Sequence, residues 1–277
     1  VTVECIGDVP AMVDLAYTDN CDPAGVVTGT DAALAGGTCG GTITRTWTLT
    51  DCAGNTIEHV QVITVEDNTP PTFDVSSLPQ DVTVECDDTI PAIEDIVIIA
   101  SDNCADVNDI VITPFEEITN QDDECANNYT ITRTWVANDC AGNQVAHIQV
   151  ITVEDNTAPT FDVSSLPQDV TVECDETIPN LEDINVIASD NCADVNDIVI
   201  TPSEVITGQD DECANNYTIT RTWIASDCAG NQISHTQVIT VQDTTAPTFD
   251  VSSLPQDVTV ECDETIPNLE DILIVAS

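Results

Sequence analysis

The sequence repeats itself at a fixed interval of 88 residues, and each complete repeat carries four cysteines. The interval is set by the first cysteine of successive repeats, at Cys86, Cys174 and Cys262. Repeats 86–173 and 174–261 differ at only 15 of 88 positions, whereas the first repeat is seven residues shorter and more divergent. Near-identical tandem modules are typical of proteins built for length and reach. We therefore expect this chain to be a window on a longer array.

About 90 residues per repeat is the size of one compact domain. We predict four modules: an N-terminally truncated one at 1–69, complete ones at 70–157 and 158–245, and the start of another at 246–277. The linkers between them, at 65–73 and 153–161, are short and stiffened by proline. Such linkers are expected to hold neighbouring modules in line.

The charge of the chain excludes several classes of partner. It has 51 acidic residues against three arginines, with no lysine, and a net charge of −48. Nucleic acids need a basic surface, so they are excluded, and an anionic membrane surface is excluded for the same reason. No apolar run is long enough to insert into a membrane. Because 42% of the residues are apolar and alternate in strand-like runs, the chain is expected to fold, with divalent cations offsetting its self-repulsion.

The thirteen cysteines stand in register from repeat to repeat, which indicates disulfides and therefore an extracellular, secreted or cell-surface location. Zinc is the alternative ligand for cysteine clusters. The spacings of 18, 21 and 15 residues contain no Cys-x-x-Cys pair, so zinc is disfavoured. We attribute the odd count to partners of Cys262 that lie beyond Ser277.

Strand signals dominate each repeat, and no segment has a helical period. Runs rich in Val, Ile and Thr are separated by Pro, Asn, Asp and Gly. In the second repeat they predict strands at Val82–Cys86, Ile93–Ala100, Asp109–Glu117, Tyr129–Asp139 and Gln144–Glu154. Short strands in a module of this size predict an all-β fold of tandem immunoglobulin-like Greek-key β-sandwich modules arranged in line.

The last two strands of the repeat form a hairpin whose turn can be predicted in detail. Asp139 and Gly142 occupy the first and fourth positions of a type I turn, with Gly142 at positive φ. This turn pairs Asp139 with Asn143 and therefore places Trp135 opposite His147. The side chains expected in the core beside this pair are Ile131, Ala137, Val145, Ile151 and Val153.

The same register places every Trp, Arg and His of the chain on one face of one hairpin per repeat. Arg133 lies opposite Gln149, and the equivalent Trp–His pairs are Trp47 with His59 and Trp223 with His235. A ligand platform is one interpretation of this cluster. We favour a structural one, a core Trp beside an Arg that is neutralised by one of the many carboxylates.

The run from Tyr129 to Asn143 and the Asp-Asn-Cys element that ends at Cys104 resemble parts of a hyalin repeat, and the cysteine count resembles its four-cysteine variety. The resemblance covers essentially the whole chain, although the first repeat departs from it at Cys21-Asp22-Pro23. Such modules occur in tandem in very large surface and secreted proteins of gliding and related Gram-negative bacteria, including gliding-motility adhesins. The resemblance implies an immunoglobulin-like fold and a role in cell adhesion, and it carries no catalytic residues.

Four cysteines per module allow three pairings, and the sandwich topology favours one of them. The first strand ends where the last hairpin begins, which brings Cys86 near Cys125. The second strand ends where that hairpin turns, which brings Cys104 near Cys140. The expected bridges are therefore Cys5–Cys39, Cys21–Cys52, Cys86–Cys125, Cys104–Cys140, Cys174–Cys213 and Cys192–Cys228. Each closes a loop of a few tens of residues, which contributes roughly 3–4 kcal/mol.

Acidic and amide side chains at the module ends predict Ca²⁺ as a cofactor, because this ion takes six to eight oxygen ligands. At the first junction the predicted ligands are Glu66, Asp67 and Asn68 facing Asp102, Asn103 and Asp139. At the second junction they are Glu154, Asp155 and Asn156 facing Asp190, Asn191 and Asp227. The alternative is a solvated acidic loop that keeps the surface soluble. The third linker carries Gln242 and Thr244 in place of Glu and Asn, so its site is expected to be weaker.

These observations predict a structural segment of a long extracellular fibre or adhesin stalk, with neighbouring repeats of the same chain as its partners and lateral self-association into filaments as an extension. The alternative is a multivalent array with a weak glycan or surface site on each module. Enzymatic activity is not expected, because each repeat has one His and its cysteines are predicted to be paired.

Overall fold

The computed structural model describes residues 1–36, 39–121, 125, 127–209, 215–266, 268, 270 and 273–275. The chain divides into two compact units. The first is Val1–Thr157 with Asn191–Ala193, and the second is Ala158–Asp190 with Asp194–Ser277. The first unit therefore contains the modules expected at 1–69 and 70–157, and the second contains most of the remaining two.

In the part of the chain that the structure describes, each of the first three repeats contributes six strands. In the first repeat, β1 to β6 are Thr2–Val3, Leu15–Tyr17, Gly25–Val27, Thr30–Asp31, Gly40–Thr50 and Thr56–Glu66. In the second, β7 to β12 are Thr72–Phe73, Val82–Glu85, Ala100–Ser101, Val111–Thr119, Tyr129–Asn138 and Gln144–Glu154. In the third, β13 to β18 are Thr160–Phe161, Val170–Glu173, Ala188–Ser189, Val199–Thr207, Tyr217–Ser226 and Gln232–Gln242.

The connections between strands include short 3₁₀ turns and no α-helix within the described residues. The turns are Ile6–Asp8, Val75–Ser77, Ile93–Asp95, Val107–Asp109, Val163–Ser165, Leu181–Asp183 and Val251–Ser253. In the part of the chain that the structure describes, no helix is long and apolar enough to cross a membrane.

Within the described residues, each of the first three repeats has one four-stranded and one two-stranded sheet, which confirms the all-β sandwich architecture. In the second repeat the larger sheet has the order β10-β11-β12-β8, and β7 pairs with β9 in the smaller one. The third repeat has the same arrangement, in the order β16-β17-β18-β14 with β13 beside β15. In each large sheet, the strand that comes first in the chain runs parallel to the strand that comes last in the chain. These parallel pairs are β1 with β6, β8 with β12 and β14 with β18, whereas the other neighbouring strands are antiparallel.

The predicted hairpin is confirmed residue by residue. Trp135 lies opposite His147 in the β11–β12 ladder, and the equivalent pairs form in the other two repeats. The Asp139 amide donates to the Asn143 carbonyl at 3.1 Å, and Gly142 has φ 94°. Trp135 is 2% exposed. Among the predicted core residues Ile131, Ala137, Ile151 and Val153 are buried, and Val145 is half-buried.

The strand predicted at Ile93–Ala100 is wrong. Only its last residue lies in a strand, β9, and its first three residues form a 3₁₀ turn. The physical reason is that backbone groups of this segment are bound within the 3₁₀ turn and by the segment 74–77. The Ile96 amide donates to the Ile93 carbonyl at 3.3 Å. The Asp74 amide donates to the Ile99 carbonyl at 2.8 Å, and the Ile99 amide donates to Ser77 Oγ at 3.0 Å.

Each buried arginine binds one carboxylate, as the structural interpretation of the Trp–His–Arg cluster predicted. Arg133 is 3% exposed, and its Nε lies 2.7 Å from a carboxylate oxygen of Glu116. Arg45 binds Asp31 and Arg221 binds Glu204 at the same distance. A buried guanidinium without its carboxylate is costly, so this pair fixes β10 against β11.

We predict that Glu116→Gln destabilises the second repeat by about 1–2 kcal/mol, because it removes a charge-assisted hydrogen bond from a buried arginine while the carboxylate is itself partly exposed. The measurement is the urea midpoint followed by tryptophan fluorescence. The control is Glu117→Gln, which changes the adjacent exposed carboxylate at a position where the third repeat has Val205. Equal midpoints for the two variants would contradict the prediction.

Candidate functional site at the junction of the first two repeats

Strand pairing places two cysteines of the first repeat at the end where that repeat stops. β1 runs parallel to β6, with Val3 paired to Val65, so Cys5 lies beyond the last pair of this ladder. β5 begins opposite the end of β6, with Gly40 paired to Glu66, and Cys39 directly precedes β5. The tail of β6 and both cysteines therefore share one end of the module.

The opposite end of the second repeat carries its own two cysteines. Cys104 follows β9, and Cys140 lies in the turn between β11 and β12. The same turn holds the linker that leaves the first repeat. Asn143 Nδ2 donates to the Asp67 carbonyl at 3.0 Å and to the Thr69 carbonyl at 3.5 Å. Within the first unit, the end of one repeat thus contacts the beginning of the next.

The disulfides cross from one repeat to the next instead of closing within each repeat. The bonded pairs are Cys5–Cys104, Cys39–Cys140 and Cys86–Cys192, with Cα–Cα distances of 5.1, 5.4 and 5.8 Å. Cys125 and Cys228 are also disulfide-bonded. Among the described cysteines, the free ones are Cys21, Cys52, Cys174 and Cys262.

The predicted pairings within modules are therefore wrong. The bridges that do not form are Cys5–Cys39, Cys104–Cys140, Cys86–Cys125 and Cys192–Cys228, because their members have other partners, and Cys21–Cys52, because both are free. Cys174 is free as well, and its expected partner Cys213 lies outside the described residues. The prediction assigned the cysteines to the correct ends of the module. It failed because Cys5, Cys39 and Cys86 each meet a cysteine of the adjoining repeat.

This connectivity changes the size of the loops that the bridges close. The sequence separations are 99, 101 and 106 residues, against the few tens expected for bridges within a module. In the chain-entropy model, a loop of about 100 residues stabilises the folded state by about 4.7 kcal/mol, compared with about 3 kcal/mol for a 15-residue loop. Two bridges at one junction also join the repeats covalently at two points besides the linker.

Two aspartates meet at this junction, each with one carboxylate oxygen that makes no hydrogen bond. Asp67 is 7% exposed; its Oδ1 accepts from the Thr69 amide at 3.1 Å, and its Oδ2 has no partner. Asp102 Oδ1 accepts from the Cys104 and Ala105 amides, both at 2.8 Å, and its Oδ2 is also unpartnered. Buried carboxylate oxygens without partners are unusual and call for a proton or a cation.

The ligand atoms of Asp67, Asp102 and Cys104 lie within 4.8 Å of one another. The Cys104 sulfur belongs to a disulfide, so it is no thiolate ligand. The two carboxylates are the part of this group with the oxygen chemistry that Ca²⁺ prefers.

The other ligands predicted for this junction have different roles. Asp139 is buried, but its oxygens accept from the Gly142 amide and from the backbone and side chain of Asn143. Asp139 therefore orients the side-chain amide of Asn143, which binds the linker. Asn68 Nδ2 donates to the Glu66 carbonyl at 3.1 Å, and Asn103 Nδ2 lies 3.0 Å from the Cys104 sulfur. The hydrogen bonds of these side chains are thus made within the turn, the linker and the Asp-Asn-Cys element.

Glu4 is a residue of this junction that was not predicted from the sequence. Its Oε2 accepts from the Asn68 amide at 3.0 Å, and its charge acts on Asp67. Glu85 makes the same bond to the Asn156 amide at 3.1 Å. The signal was present as the Val-Glu-Cys run that begins each repeat, but only the register of β1 beside β6 shows that this glutamate reaches the linker.

Burial raises the pKa of Asp67 above its ordinary value of 3.8, and the charges of Asp102, Asp139 and Glu4 raise it further. The Thr69 amide acts in the opposite direction, by stabilising the ionised form. A carboxylate that is buried among three other acids is costly to keep ionised, unless a cation or a proton compensates.

The residues predicted for the second junction are divided between the two units. In the first unit Asp155 is buried, its Oδ1 accepts from the Thr157 amide at 3.0 Å, and Glu154 and Asn156 are exposed. Asn191 is exposed too. In the second unit Asp227 is buried and Asp190 is half-buried. In the third linker, Thr244 binds Glu173 through its amide and its hydroxyl.

Residues 1–65 and 163–241 match the family described as the HYR-like domain with 4 cysteines. The chain belongs to this family. No curated protein matches it.

Solved cadherin ectodomains are similar to this chain at low identity. The similarity to Drosophila N-cadherin EC1-4 has 14% identity over 74% of this chain and 58% of that one, with a TM-score of 0.26. Protocadherin Gamma B2 domains 3-6 share 13% identity over 92% and 74%, with a TM-score of 0.29. Protocadherin GammaB4 shares 16% identity over 86% and 43%, with a TM-score of 0.32. No ligand or partner carries over at such identities.

We predict that the double substitution Cys5→Ser and Cys104→Ser lowers the free energy of unfolding of the first unit by about 2–5 kcal/mol, because it opens a loop of about 100 residues. The measurement is urea unfolding of the oxidised chain. The matched control is Cys21→Ser with Cys52→Ser, which removes two cysteines that have no disulfide partner. A similar loss in both variants would contradict the cross-repeat pairing.

The raised pKa of Asp67 predicts a specific pH dependence in a chelating buffer. The unfolded chain ionises this group near pH 3.8, before the folded chain does, so stability falls as the pH rises from 3.8 through the raised folded pKa. Asp67→Asn removes this contribution, so the urea midpoint of the variant should fall less steeply with pH. Asp95→Asn, at an exposed site, should keep the wild-type slope. If the urea midpoint falls equally steeply with pH in wild type and Asp67→Asn, the raised pKa of Asp67 is refuted.

Proposed function

We propose that this chain is a structural repeat segment of an extracellular fibre or adhesin stalk, of the kind carried by large surface proteins of gliding bacteria. The observation that carries the proposal is the pair of disulfides, Cys5–Cys104 and Cys39–Cys140, at a single junction. Membership in the HYR-like family supports an adhesive or structural role. The proposal includes secretion, because disulfides persist in oxidising compartments.

The mechanism is the transfer of tension between repeats through covalent bonds. A tandem array that is joined only by its linkers stretches or bends at each linker. Here two bridges run beside the linker 65–73, so tension passes from Cys5 and Cys39 directly to the next repeat. Because the bridges attach at two separate points, they also oppose bending about the linker.

Calcium is the second part of the proposal. Asp67 and Asp102 each present an unpartnered oxygen to the same small region, and burial raises the pKa of Asp67. A divalent cation held by these two oxygens would satisfy both and would offset part of the net charge of −48. Asp139 and Glu4 are the further carboxylates whose charges act on Asp67. A proton shared between Asp67 and Asp102 is the competing means of satisfying them.

A multivalent binding array has less support. Such an array needs an exposed aromatic on each module, but Trp47, Trp135 and Trp223 are all buried. Phe115 is 58% exposed, yet the third repeat has Ser203 at the same position. We likewise propose no enzymatic activity, and we propose neighbouring repeats as the partners of this segment.

The covalent part of the mechanism can be tested by cutting the linker. A protease site inserted between Asn68 and Thr69 is cleaved in the oxidised protein. We predict that the two fragments stay joined on a non-reducing gel, because both bridges span the cut, and separate when dithiothreitol is added. The same insertion in a chain with Cys5→Ser and Cys39→Ser should release the fragments without reductant. Release from the unsubstituted chain would contradict the mechanism.

Calcium binding is tested by thermal unfolding of the oxidised chain in Ca²⁺ and in a chelator. At a Ca²⁺ concentration of about 100 times the dissociation constant, one site stabilises the folded state by about 2.7 kcal/mol. Asp67→Asn and Asp102→Asn should each remove the increment that belongs to the first junction, whereas Asp95→Asn should retain it. If Ca²⁺ has the same effect on all three variants, the proton-sharing alternative replaces calcium at this site.

A further inference from the structure

The Cys5–Cys104 bridge lies against the two aspartates of the first junction. The ligand atoms of Asp67, Asp102 and Cys104 lie within 4.8 Å of one another, and Cys5 is bonded to Cys104. In the disulfide neither sulfur is a thiolate, so neither is a strong metal ligand. Opening this bridge would place two thiolates beside two carboxylates. We define these four residues, Cys5, Cys104, Asp67 and Asp102, as the dithiol site.

Both carboxylates are oriented by the backbone, which leaves one oxygen of each for a cation. Asp67 Oδ1 accepts from the Thr69 amide, and Asp102 Oδ1 accepts from the Cys104 and Ala105 amides. The two Oδ2 atoms make no hydrogen bond, and Asp67 is only 7% exposed. A buried oxygen without a partner is unusual in a folded protein. It is therefore an observation in favour of a bound cation that is independent of the clustering of the ligand atoms.

Asn103 supplies a hydrogen-bond donor to both sulfurs. Its Nδ2 lies 3.0 Å from the Cys104 sulfur and 3.4 Å from the Cys5 sulfur. A neutral disulfide gains little from this donor, because its sulfurs are weak acceptors. A thiolate gains more, since a hydrogen bond to a charged acceptor is stronger, and such outer contacts orient the ligands of a metal. Asn103 thus suits the reduced form of the bridge.

A similar grouping recurs around the next cross-repeat bridge. The ligand atoms of Cys86, Asp87 and Cys192 lie within 4.8 Å of one another, and an oxygen of Asp155 is equally close to the Cys192 sulfur. Asp155 stands at the position of Asp67 in the repeat, and it is likewise buried. Carboxylates beside the bridge sulfurs are therefore a feature of the repeat and are not confined to one junction.

We propose that the dithiol site binds Zn²⁺ when the Cys5–Cys104 bridge is reduced. Zn²⁺ takes four tetrahedral ligands, including thiolates and carboxylate oxygens, with bonds of about 2.0–2.3 Å. Such bonds separate neighbouring ligand atoms by about 3.3–3.8 Å, which fits a group that lies within 4.8 Å. The metal joins the first two repeats where the disulfide otherwise joins them. The proposal depends neither on calcium binding by the oxidised chain nor on the stalk function.

The redox state of the bridge selects the metal. The oxidised junction offers carboxylate oxygens, which suit Ca²⁺, whereas the reduced junction adds two soft thiolates, which favour Zn²⁺. A trialkyl phosphine opens the bridge: its electron pair reduces the S–S bond, and it takes the oxygen of one water molecule, so that one phosphine oxide and two thiols form. Zn²⁺ then displaces the two thiol protons.

The experiment reduces the purified 277-residue chain with a trialkyl phosphine under argon and titrates it with Co²⁺, a coloured substitute for Zn²⁺. We expect the near-ultraviolet charge-transfer band of Co²⁺–thiolate bonds and the intense visible bands of a tetrahedral ion, and Zn²⁺ should abolish both. The oxidised chain should show neither. Cys5→Ser with Cys104→Ser should lower the bound metal by one ion per chain. Asn103→Ala should weaken binding at this site by about tenfold or more.

The matched control is Cys174→Ser with Cys262→Ser, which removes two free and exposed cysteines of the second unit. This variant should keep the ion that the Cys5 and Cys104 variant loses. Asp67→Asn leaves every cysteine in place and should also weaken the site, whereas Asp95→Asn should not, so the test stays decisive if the serine variant unfolds. A reduced chain that binds no Co²⁺ overturns the proposal, as does equal binding by the wild type and the variant without Cys5 and Cys104.

Discussion

The cross-repeat disulfides are the constraint on which the arrangement of the first two repeats depends. Cys5 and Cys39 lie at the end of one sandwich, and Cys104 and Cys140 lie at the beginning of the next. Their bonds place the acidic ends of two modules in contact, although the chain carries a net charge of −48. The burial of Asp67 beside Asp102 is a consequence of this contact. A sequence with so few aromatic residues thus gains cohesion from covalent bonds between modules as well as from its cores.

Within a repeat, the hairpin could be predicted almost completely from sequence. The turn at Asp139–Gly142 has one favoured geometry, and this geometry fixes the register that pairs Trp135 with His147. The core positions follow from the same register because side chains alternate along a strand. The segment that begins at Ile93 could not be predicted in this way. Its apolar residues suit a strand, but its backbone groups bind within a 3₁₀ turn and to Asp74 and Ser77.

The junction was harder to predict because its partners come from different repeats. Sequence position assigned each cysteine to an end of its module, but pairing depends on which ends meet and how closely. The same limit applies to the predicted cation ligands. Asp67 and Asp102 are brought together, whereas Asp139 serves its own turn and Glu4 was missed. Local sequence patterns predict the contacts that a residue makes within its own hairpin. The disulfide partners and the cation ligands at a junction depend instead on the contact between repeats.

The central claim is that disulfides join the first repeat to the second and the second repeat to the third. The most direct test is peptide mapping of the oxidised protein by mass spectrometry, with digestion under conditions that prevent disulfide exchange. The account predicts cross-linked peptides that join Cys5 to Cys104, Cys39 to Cys140 and Cys86 to Cys192. Peptides that join Cys5 to Cys39 or Cys104 to Cys140 would contradict it and would return each repeat to an independently bridged module.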